Sequence, residues 1–155
     1  MRRLRISIVG ISVILATTSL LGAATPVALA NTRQQDVSRH QVLKATNGSR
    51  VNHHRGRLSI NARMSALAEH HSEEMANRGF LFHTSNVGKY LHGVSWHAWG
   101  ENVGYTQKGA VSELQKAFMR SPVHRENILN GTFKHVAIGT ATRGGTLWVT
   151  VFFYG

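Results

Sequence analysis

Three side chains far apart along the chain, His83, Glu101 and His124, are of types that could perform chemistry together. Each stands where one predicted element ends or another begins, and such positions often face clefts. Two imidazoles and one carboxylate could hold a divalent ion such as zinc, with water in the open positions. Alternatively, Glu101 and a histidine, with His124 as the second catalytic candidate, could activate water to hydrolyse a peptide or a glycan. A third interpretation is a structural polar cluster that binds nothing.

Other chemistries are excluded by what the chain lacks. It contains no cysteine, which excludes zinc-thiolate sites and cysteine nucleophiles and means that packing must hold the fold without disulfides. The HExxH pattern of metallopeptidases and the Gly-x-Ser-x-Gly elbow of serine hydrolases are both missing. Among the other histidines, His71 falls on the apolar face of a predicted helix, where we expect a core or cleft residue rather than a ligand.

Two helices are predicted ahead of His83, from apolar residues that recur at three- and four-residue steps. The first is expected to begin at Ser38 and to end by Gly56. The second is bounded by Asn61, which is a good N-cap, and by Gly79, where a left-handed C-terminal cap is expected. The first two helices therefore lead directly to the Phe80-Leu81-Phe82 segment that precedes His83.

Two further helices surround His124. One follows Gly109, and Ser121-Pro122 then predicts a break and a restart, because serine is a capping residue and proline suits the first helical turn. The restarted helix is expected to run to about Leu129 and to stop at Asn130-Gly131. His124 would therefore lie in the first turn of this helix.

The strongest strand signal comes at the end of the chain. A short strand is predicted near Trp99 to Val103, and Arg143 to Thr146, with two central glycines, reads as a hairpin turn. Leu147 to Tyr154 is a nearly continuous β-branched and aromatic run, which suits a central strand covered by helices on both faces. The predicted fold class is α+β, a layered sandwich with a carboxyl-terminal hairpin.

The first thirty residues resemble an export signal. A basic start, an uncharged apolar stretch and the small residues Ala28-Leu29-Ala30 predict cleavage after Ala30, and a retained membrane anchor is the alternative. We therefore expect a signal peptide over 1–30, a flexible segment over 31–37 and one domain over 38–155. The mature protein should be secreted, without a transmembrane segment, and monomeric.

The mature chain is strongly basic. Once the three signal-peptide arginines are removed, 15 basic residues face 7 acidic ones, and such a field attracts anionic partners. An extracellular anionic polymer, a lipid or a protein would fit. The basic residues form only a loose cluster at Arg50, Arg55 and Arg57, and no aromatic residues alternate with them to stack on bases, so nucleic acid is not an expected partner.

The sequence resembles the bacterial branch of the CAP superfamily, whose SCP-like domains include cysteine-rich secretory proteins, antigen 5 proteins and pathogenesis-related proteins. Two strings are specific when they occur together in this order, Gly100-Glu101-Asn102 and Ser121-Pro122-Val123-His124-Arg125-Glu126-Asn127-Ile128-Leu129. The other matching segments are Asn47-Gly48-Ser49-Arg50, Phe82-His83, Val136-Ala137-Ile138-Gly139 and the final strand from Trp148 to Phe153. The resemblance implies a three-layer α-β-α sandwich with a mainly antiparallel central sheet.

The resemblance also implies a cleft with two histidines and two acids that can bind zinc or another divalent ion. Residue by residue, His83 matches the first histidine, Glu101 the acid of the Gly-Glu-Asn string and His124 the second histidine. The other acid would fall near Ser121, which cannot replace a carboxylate, and Phe118 stands where tryptophan is common. A missing carboxylate weakens metal binding because it removes charge that would offset the cation.

These features together favour a secreted module that acts by binding through this cleft rather than an enzyme. The family resemblance implies no reaction that its members share. A hydrolase and a ligand-free structural cleft remain as alternatives.

Overall fold

The computed structural model describes residues 25–155. The helices are α1 (Pro26–Asn52), α2 (Ala62–Arg78), α3 (Val87–Tyr90), α4 (Val111–Arg120) and α5 (Pro122–Leu129). The strands are β1 (Ser59–Ile60), β2 (Trp99–Gln107), β3 (His135–Arg143) and β4 (Thr146–Tyr154). Within this part of the chain, no helix is both long enough and apolar enough to cross a membrane.

The four strands form one sheet in the order β1-β3-β4-β2. β4 pairs antiparallel with both β3 and β2, and the short β1 pairs parallel with β3. The prediction that the last strand is central is confirmed, and its residues are buried almost without exception. Gly144 and Gly145 both have positive φ, which is the backbone conformation that a two-residue hairpin turn requires. β2 is left at the edge of the sheet.

Helices cover both faces of the sheet, so the predicted three-layer α-β-α sandwich is confirmed. On one face, Met64 and Ala68 of α2 pack against Ala137 and Phe152. Gly139 permits this close approach, since a Cβ there would overlap the backbone of Ala68. The opposite face is covered by α1, α4 and α5, whose buried apolar side chains meet those of β3 and β4: Val42, Leu114, Phe118, Ile128, Val136, Ile138, Val149 and Val151.

The first helix is longer than predicted. It begins at Pro26 rather than Ser38, so residues 31–37 are helical instead of irregular. Two contacts explain this: Thr25 caps the first turn by accepting from the Ala28 N–H, and Thr140 Oγ1 donates to the Gln35 carbonyl and ties the helix to the sheet. Residues 1–24 of the predicted signal lie outside the described residues, and cleavage after Ala30 remains a prediction.

Two other boundaries also differ from prediction. β2 continues to Gln107, beyond the expected end at Val103, because all nine of its residues pair with β4. The segment expected to be a loop contains the single-turn helix α3. The predicted caps of α2 are confirmed: Asn61 accepts from the Met64 N–H, and Gly79 is left-handed with a φ of 75°.

The Asn47-Gly48-Ser49-Arg50 string has a structural role. Asn47 exchanges two hydrogen bonds with the backbone of Leu58, at 3.0 and 2.8 Å. Arg50 is 1% exposed and donates to four backbone carbonyls, those of Gly56, Ile128, Asn130 and Phe133. Arg50 is therefore an internal scaffold residue and contributes no surface charge to the cluster predicted with Arg55 and Arg57.

Candidate functional site

Glu101 is a buried carboxylate on the edge strand β2. It pairs across the sheet with Phe152, and because paired residues share a face, its side chain lies on the α2 side. The carboxylate is 3% exposed and accepts hydrogen bonds from the backbone N–H of Thr84 and from Nδ1 of His83, 2.6 Å from Oε2. Burial raises the pKa of Glu101, and the hydrogen bonds from His83 and Thr84 act against that rise.

His83 is the solvent-facing partner of this carboxylate, and its side chain is 60% exposed. The left-handed Gly79 ends α2, and the chain then turns so that Phe82 packs on the core while His83 reaches Glu101. Because a carboxylate only accepts, the 2.6 Å contact places a proton on Nδ1 of His83. Nε2 of the same ring is therefore the atom that a ligand or a water molecule would meet.

His71 lies behind Glu101 in the interior. Its Nδ1 is 3.1 Å from Thr150 Oγ1 and 3.8 Å from Glu101 Oε1, and its ring is edge-on to Phe82 and Tyr90. Burial lowers the pKa of His71, so the neutral ring is favoured. Its Nε2 has no hydrogen-bond partner within the described residues. The expectation of a core or cleft histidine agrees with this position, but the sequence did not predict that His71 would support Glu101.

The backbone of His124, on α5, meets the face of β2 opposite to the Glu101 side chain. Successive side chains of a strand point to opposite faces, so Asn102 faces α5, where its Nδ2 donates to the His124 carbonyl at 3.0 Å. Nδ1 of His124 contacts Ser121 Oγ at 2.8 Å, and the ring lies 5.0 Å from the ring of Phe118. Burial lowers the pKa of His124, and the charge of His83 acts in the same direction.

The structure thus brings His83 and Glu101 into contact, and the His124 ring lies near enough for the charge of His83 to lower its pKa. The two-residue alternation of β2 sends Glu101 and Asn102 to opposite faces, so Asn102 rather than Glu101 contacts the His124 backbone. Ser121, at the position of the absent acid, contacts His124 and not Glu101.

The two strings that carry the resemblance contact each other directly. Asn127 Nδ2 donates to the carbonyl of Glu101 and to Oδ1 of the fully buried Asn102. Gly100 leaves the space for this amide, since a Cβ at Gly100 would overlap Oδ1 of Asn127 and lie 2.8 Å from its Cγ. These hydrogen bonds from Asn127 hold β2 against α5 and so fix the position of the Glu101 backbone. Sequence reasoning missed it, although asparagine in both strings was a signal.

A divalent ion does not fit the side chains as they stand. Among residues 25–155, no group of three or more His, Asp or Glu side chains is arranged to hold a metal. Glu101 is already bonded to His83 and Thr84, and His124 is bonded to Ser121 rather than to a second acid. The His83–Glu101 pair is therefore a hydrogen-bonded dyad.

A cavity of about 280 Å³ adjoins the exposed side of His83. Its lining includes Phe82 and Tyr90 together with two cations, Arg78 and Lys89. The Arg78 guanidinium lies 4.8 Å from the ring centre of Phe82, and the Lys89 ammonium lies 5.5 Å from that of Tyr90. The opening thus combines aromatic walls, two permanent positive charges, the carboxylate of Glu74 and one free imidazole nitrogen, a combination suited to a polar group or to an anion held by the two cations.

The sandwich and its edge site define a domain of the SCP type, and comparison with known proteins gives the family. Residues 43–153 match the family model described as CAP, the cysteine-rich secretory protein family, so the chain belongs to that family.

Individual relatives support this assignment. The chain is 31% identical over 118 residues to the uncharacterised protein YkwD of Bacillus subtilis (strain 168), covering 72% of this chain and 45% of that protein. An extracellular protein containing an SCP domain from Bacillus anthracis superposes with a TM-score of 0.69 at 24% identity, over 86% of this chain and 44% of that one. A structure described as NaASP2 with Zn²⁺ gives a TM-score of 0.57 at 11% identity, over 75% and 78%. The chain spans under half the length of the two Bacillus proteins.

Proposed function

We propose that this protein is a secreted binding module that recognises a ligand at the His83–Glu101 cleft. Membership of the CAP family supports this proposal, as does the similarity in fold to an extracellular SCP-domain protein. The observation that carries it is the 2.6 Å bond between Glu101 and His83, which holds one imidazole at the surface beside the cavity. With Arg78 and Lys89 also lining that cavity, an anionic group on the ligand is the complementary chemistry.

Binding fits the state of Glu101 better than hydrolysis by that carboxylate does. A general base must lie within hydrogen-bond reach of the proton that it removes. The Glu101 carboxylate is 3% exposed and already accepts from His83 and Thr84. It therefore orients His83 instead of contacting water or substrate. The buried His71 behind it is likewise out of reach of water and substrate.

A hydrolase remains the second candidate because of the same dyad. A carboxylate that accepts from Nδ1 of a histidine leaves Nε2 free to take a proton from water, which is a known catalytic arrangement. In that function His83 would be the base and Glu101 its positioning residue, with a peptide or glycan as substrate. The third reading, a structural pair without a ligand, requires only that the cleft stay empty.

One set of variants separates these three functions. His83→Gln and Glu101→Gln change the dyad, and His92→Gln removes an exposed histidine elsewhere as the matched control. Retention of each purified protein on cell-surface material of the producing organism is measured, together with release of fragments by mass spectrometry. Binding predicts at least about tenfold weaker retention for the two dyad variants. Fragments that only the wild type and the control release would favour the hydrolase, and no difference in either measurement would favour the structural pair.

A divalent ion at His83, Glu101 and His124 would have to displace the His83–Glu101 bond, so metal binding is not part of the proposed function, although the related NaASP2 structure contains Zn²⁺. Secretion is a further proposal with its own test. Secretion after cleavage at Ala30 predicts that extracellular protein begins at Asn31. Amino-terminal sequencing of protein from the culture medium would show whether it does.

A further inference from the structure

We propose that the protein has a second binding surface, separate from the His83–Glu101 dyad, that binds a linear polyanion through its phosphate groups. The basic surface, as we name it, consists of six residues from three segments: His53, His54, Arg55, Arg57, Arg125 and Lys134. All are exposed except Arg125, which is half-buried. They follow α1, lie on α5 and precede β3, so the fold and not the sequence order collects them.

The buried Arg50 holds these three segments together. Its guanidinium donates to the carbonyl of Gly56 after α1, to those of Ile128 and Asn130 at the end of α5, and to that of Phe133 before β3. Burial lowers the pKa of Arg50, and the positive charge of Arg55 adds to this effect. The two arginines are thus close enough to interact. The segments that carry the surface charges are held in place by the hydrogen bonds of Arg50.

Contacts between the segments place the cations near one another. The Arg125 guanidinium is 3.3 Å from Nε2 of His53, whose Nδ1 lies 2.8 Å from the Ser49 carbonyl. Nδ1 must donate to that carbonyl, so Nε2 accepts from Arg125. Lys134 and Arg55 both approach Gly131. Lys134 donates to the Gly131 carbonyl, and Arg55 Nη1 lies 3.7 Å from the point where a Cβ on Gly131 would stand.

The charge of the basic surface is not neutralised within the protein. All seven acidic residues of the chain lie in the described range, and only Glu126 stands on a segment that builds the surface. Within residues 25–155, Glu126 forms no ion pair, and neither do Arg55, Arg57, Arg125 and Lys134. A partner would therefore supply the counter-charge.

The residue types favour phosphate on a chain without bases. Three of the four permanent charges are arginines, whose planar guanidinium matches phosphate oxygens two at a time. The exposed Phe80, Trp99 and Tyr105 lie on other segments, so the surface offers no Phe, Tyr or Trp ring to stack on bases or to anchor in a lipid interface, and its only rings are the imidazoles of His53 and His54. A phosphate polymer that lies across the three segments satisfies both observations.

The test uses long-chain inorganic polyphosphate as the probe and compares two triple variants of equal charge. Arg55→Gln, Arg57→Gln and Arg125→Gln together remove the basic surface. Arg33→Gln, Lys44→Gln and Lys108→Gln together remove three exposed charges from α1 and the segment after β2. Binding is followed by fluorescence anisotropy at several salt concentrations, and thermal unfolding shows that each variant is folded.

We expect the basic-surface variant to bind polyphosphate at least about tenfold more weakly and to lower the salt-dependence slope by about 2, given about 0.7 per phosphate contact on flexible polyanions. The control variant should change affinity by less than about threefold. Equal losses in both variants would mean that net charge alone governs binding and would overturn the proposal, as would no loss in either. Stronger binding to polyglutamate, or to vesicles of anionic phospholipid at equal charge, would also overturn it. Loss of polyphosphate binding in His83→Gln, with binding retained in the basic-surface variant, would place the phosphate at the cleft and would also overturn the proposal.

Discussion

Replacing Gly100 by alanine should break the contact between the two strings that define this family. A Cβ at this position would overlap Oδ1 of Asn127, lie 2.8 Å from its Cγ and come within 3.3 Å of the Phe133 ring. The Asn127 amide must therefore turn away from the strand. Turning away breaks its hydrogen bonds to the Glu101 carbonyl and to Asn102 Oδ1.

The size of the effect follows from the burial of these two acceptors. Asn102 is fully buried, and leaving its Oδ1 without a donor costs about 1–3 kcal/mol. The half-buried bond to the Glu101 carbonyl contributes about 0.5–1.5 kcal/mol more. Alanine restricts the unfolded chain and returns less than about 1 kcal/mol, so the expected net loss is about 0.5–4 kcal/mol.

The assay is urea unfolding followed by the fluorescence of the three tryptophans. Gly48→Ala is the matched control, because Gly48 lies within α1 with no atom within 4 Å of an added Cβ. The same chemical change should there stabilise the protein by about 0.5–1 kcal/mol. The two glycine substitutions are thus expected to have opposite signs.

A double-mutant cycle checks the cause. In an Asn127→Ala background the overlap and the hydrogen bonds are both gone, so Gly100→Ala should cost less than about 0.5 kcal/mol there. An unchanged stability in the single variant, or an equal loss in both backgrounds, would refute the steric interlock.

Three other predictions concern the site. In Glu101→Leu, the Nδ1 proton of neutral His83 loses its acceptor, so ¹⁵N NMR should show the proton less often on Nδ1 than in the wild type; an unchanged tautomer would show that the dyad is described wrongly. Because burial lowers the pKa of His124, the stability that its neutral form provides is present above its unfolded pKa of about 6.5 and is lost as the pH falls. The wild type should therefore lose stability relative to His124→Gln between pH 7 and 5 in urea titrations, and a constant difference would contradict this. Zinc titrated at micromolar concentration near neutral pH should release no heat, since the described residues offer no three-ligand group; one ion bound per chain would reverse that conclusion.

Much of the fold could be predicted from local patterns. The caps Asn61 and Gly79 bound α2 because capping depends on adjacent residues, and the apolar run of β4 identifies the central strand because burial on both faces needs such a run. The early start of α1 could not be predicted, since it depends on Thr140, which is over a hundred residues away from Gln35. β1 pairs through only two residues, too few to produce a periodic signal.

The site was less predictable because strand geometry decides which side chains meet. His83, Glu101 and His124 are predicted to share one hollow, but no spacing along the chain shows which side-chain contacts form there. His83 contacts Glu101, whereas His124 contacts Ser121 and Phe118. The helical face of His71 predicts a core or cleft residue, but its position behind Glu101 is visible only in three dimensions.

Most residues of the strings that carry the family resemblance hold the fold and do not face a ligand. Gly100, Asn102 and Asn127 join β2 to α5, and Arg50 ties three segments to the interior. Of these strings, only the Phe82-His83 pair and Glu101 build the cleft. In the proposed function, residues outside the strings would distinguish one ligand from another, because apart from His83 and Glu101 the polar residues of the strings named here belong to the scaffold. The cations Arg78 and Lys89 beside the cleft, together with most of the basic surface after α1, are such residues, and both favour an anionic partner.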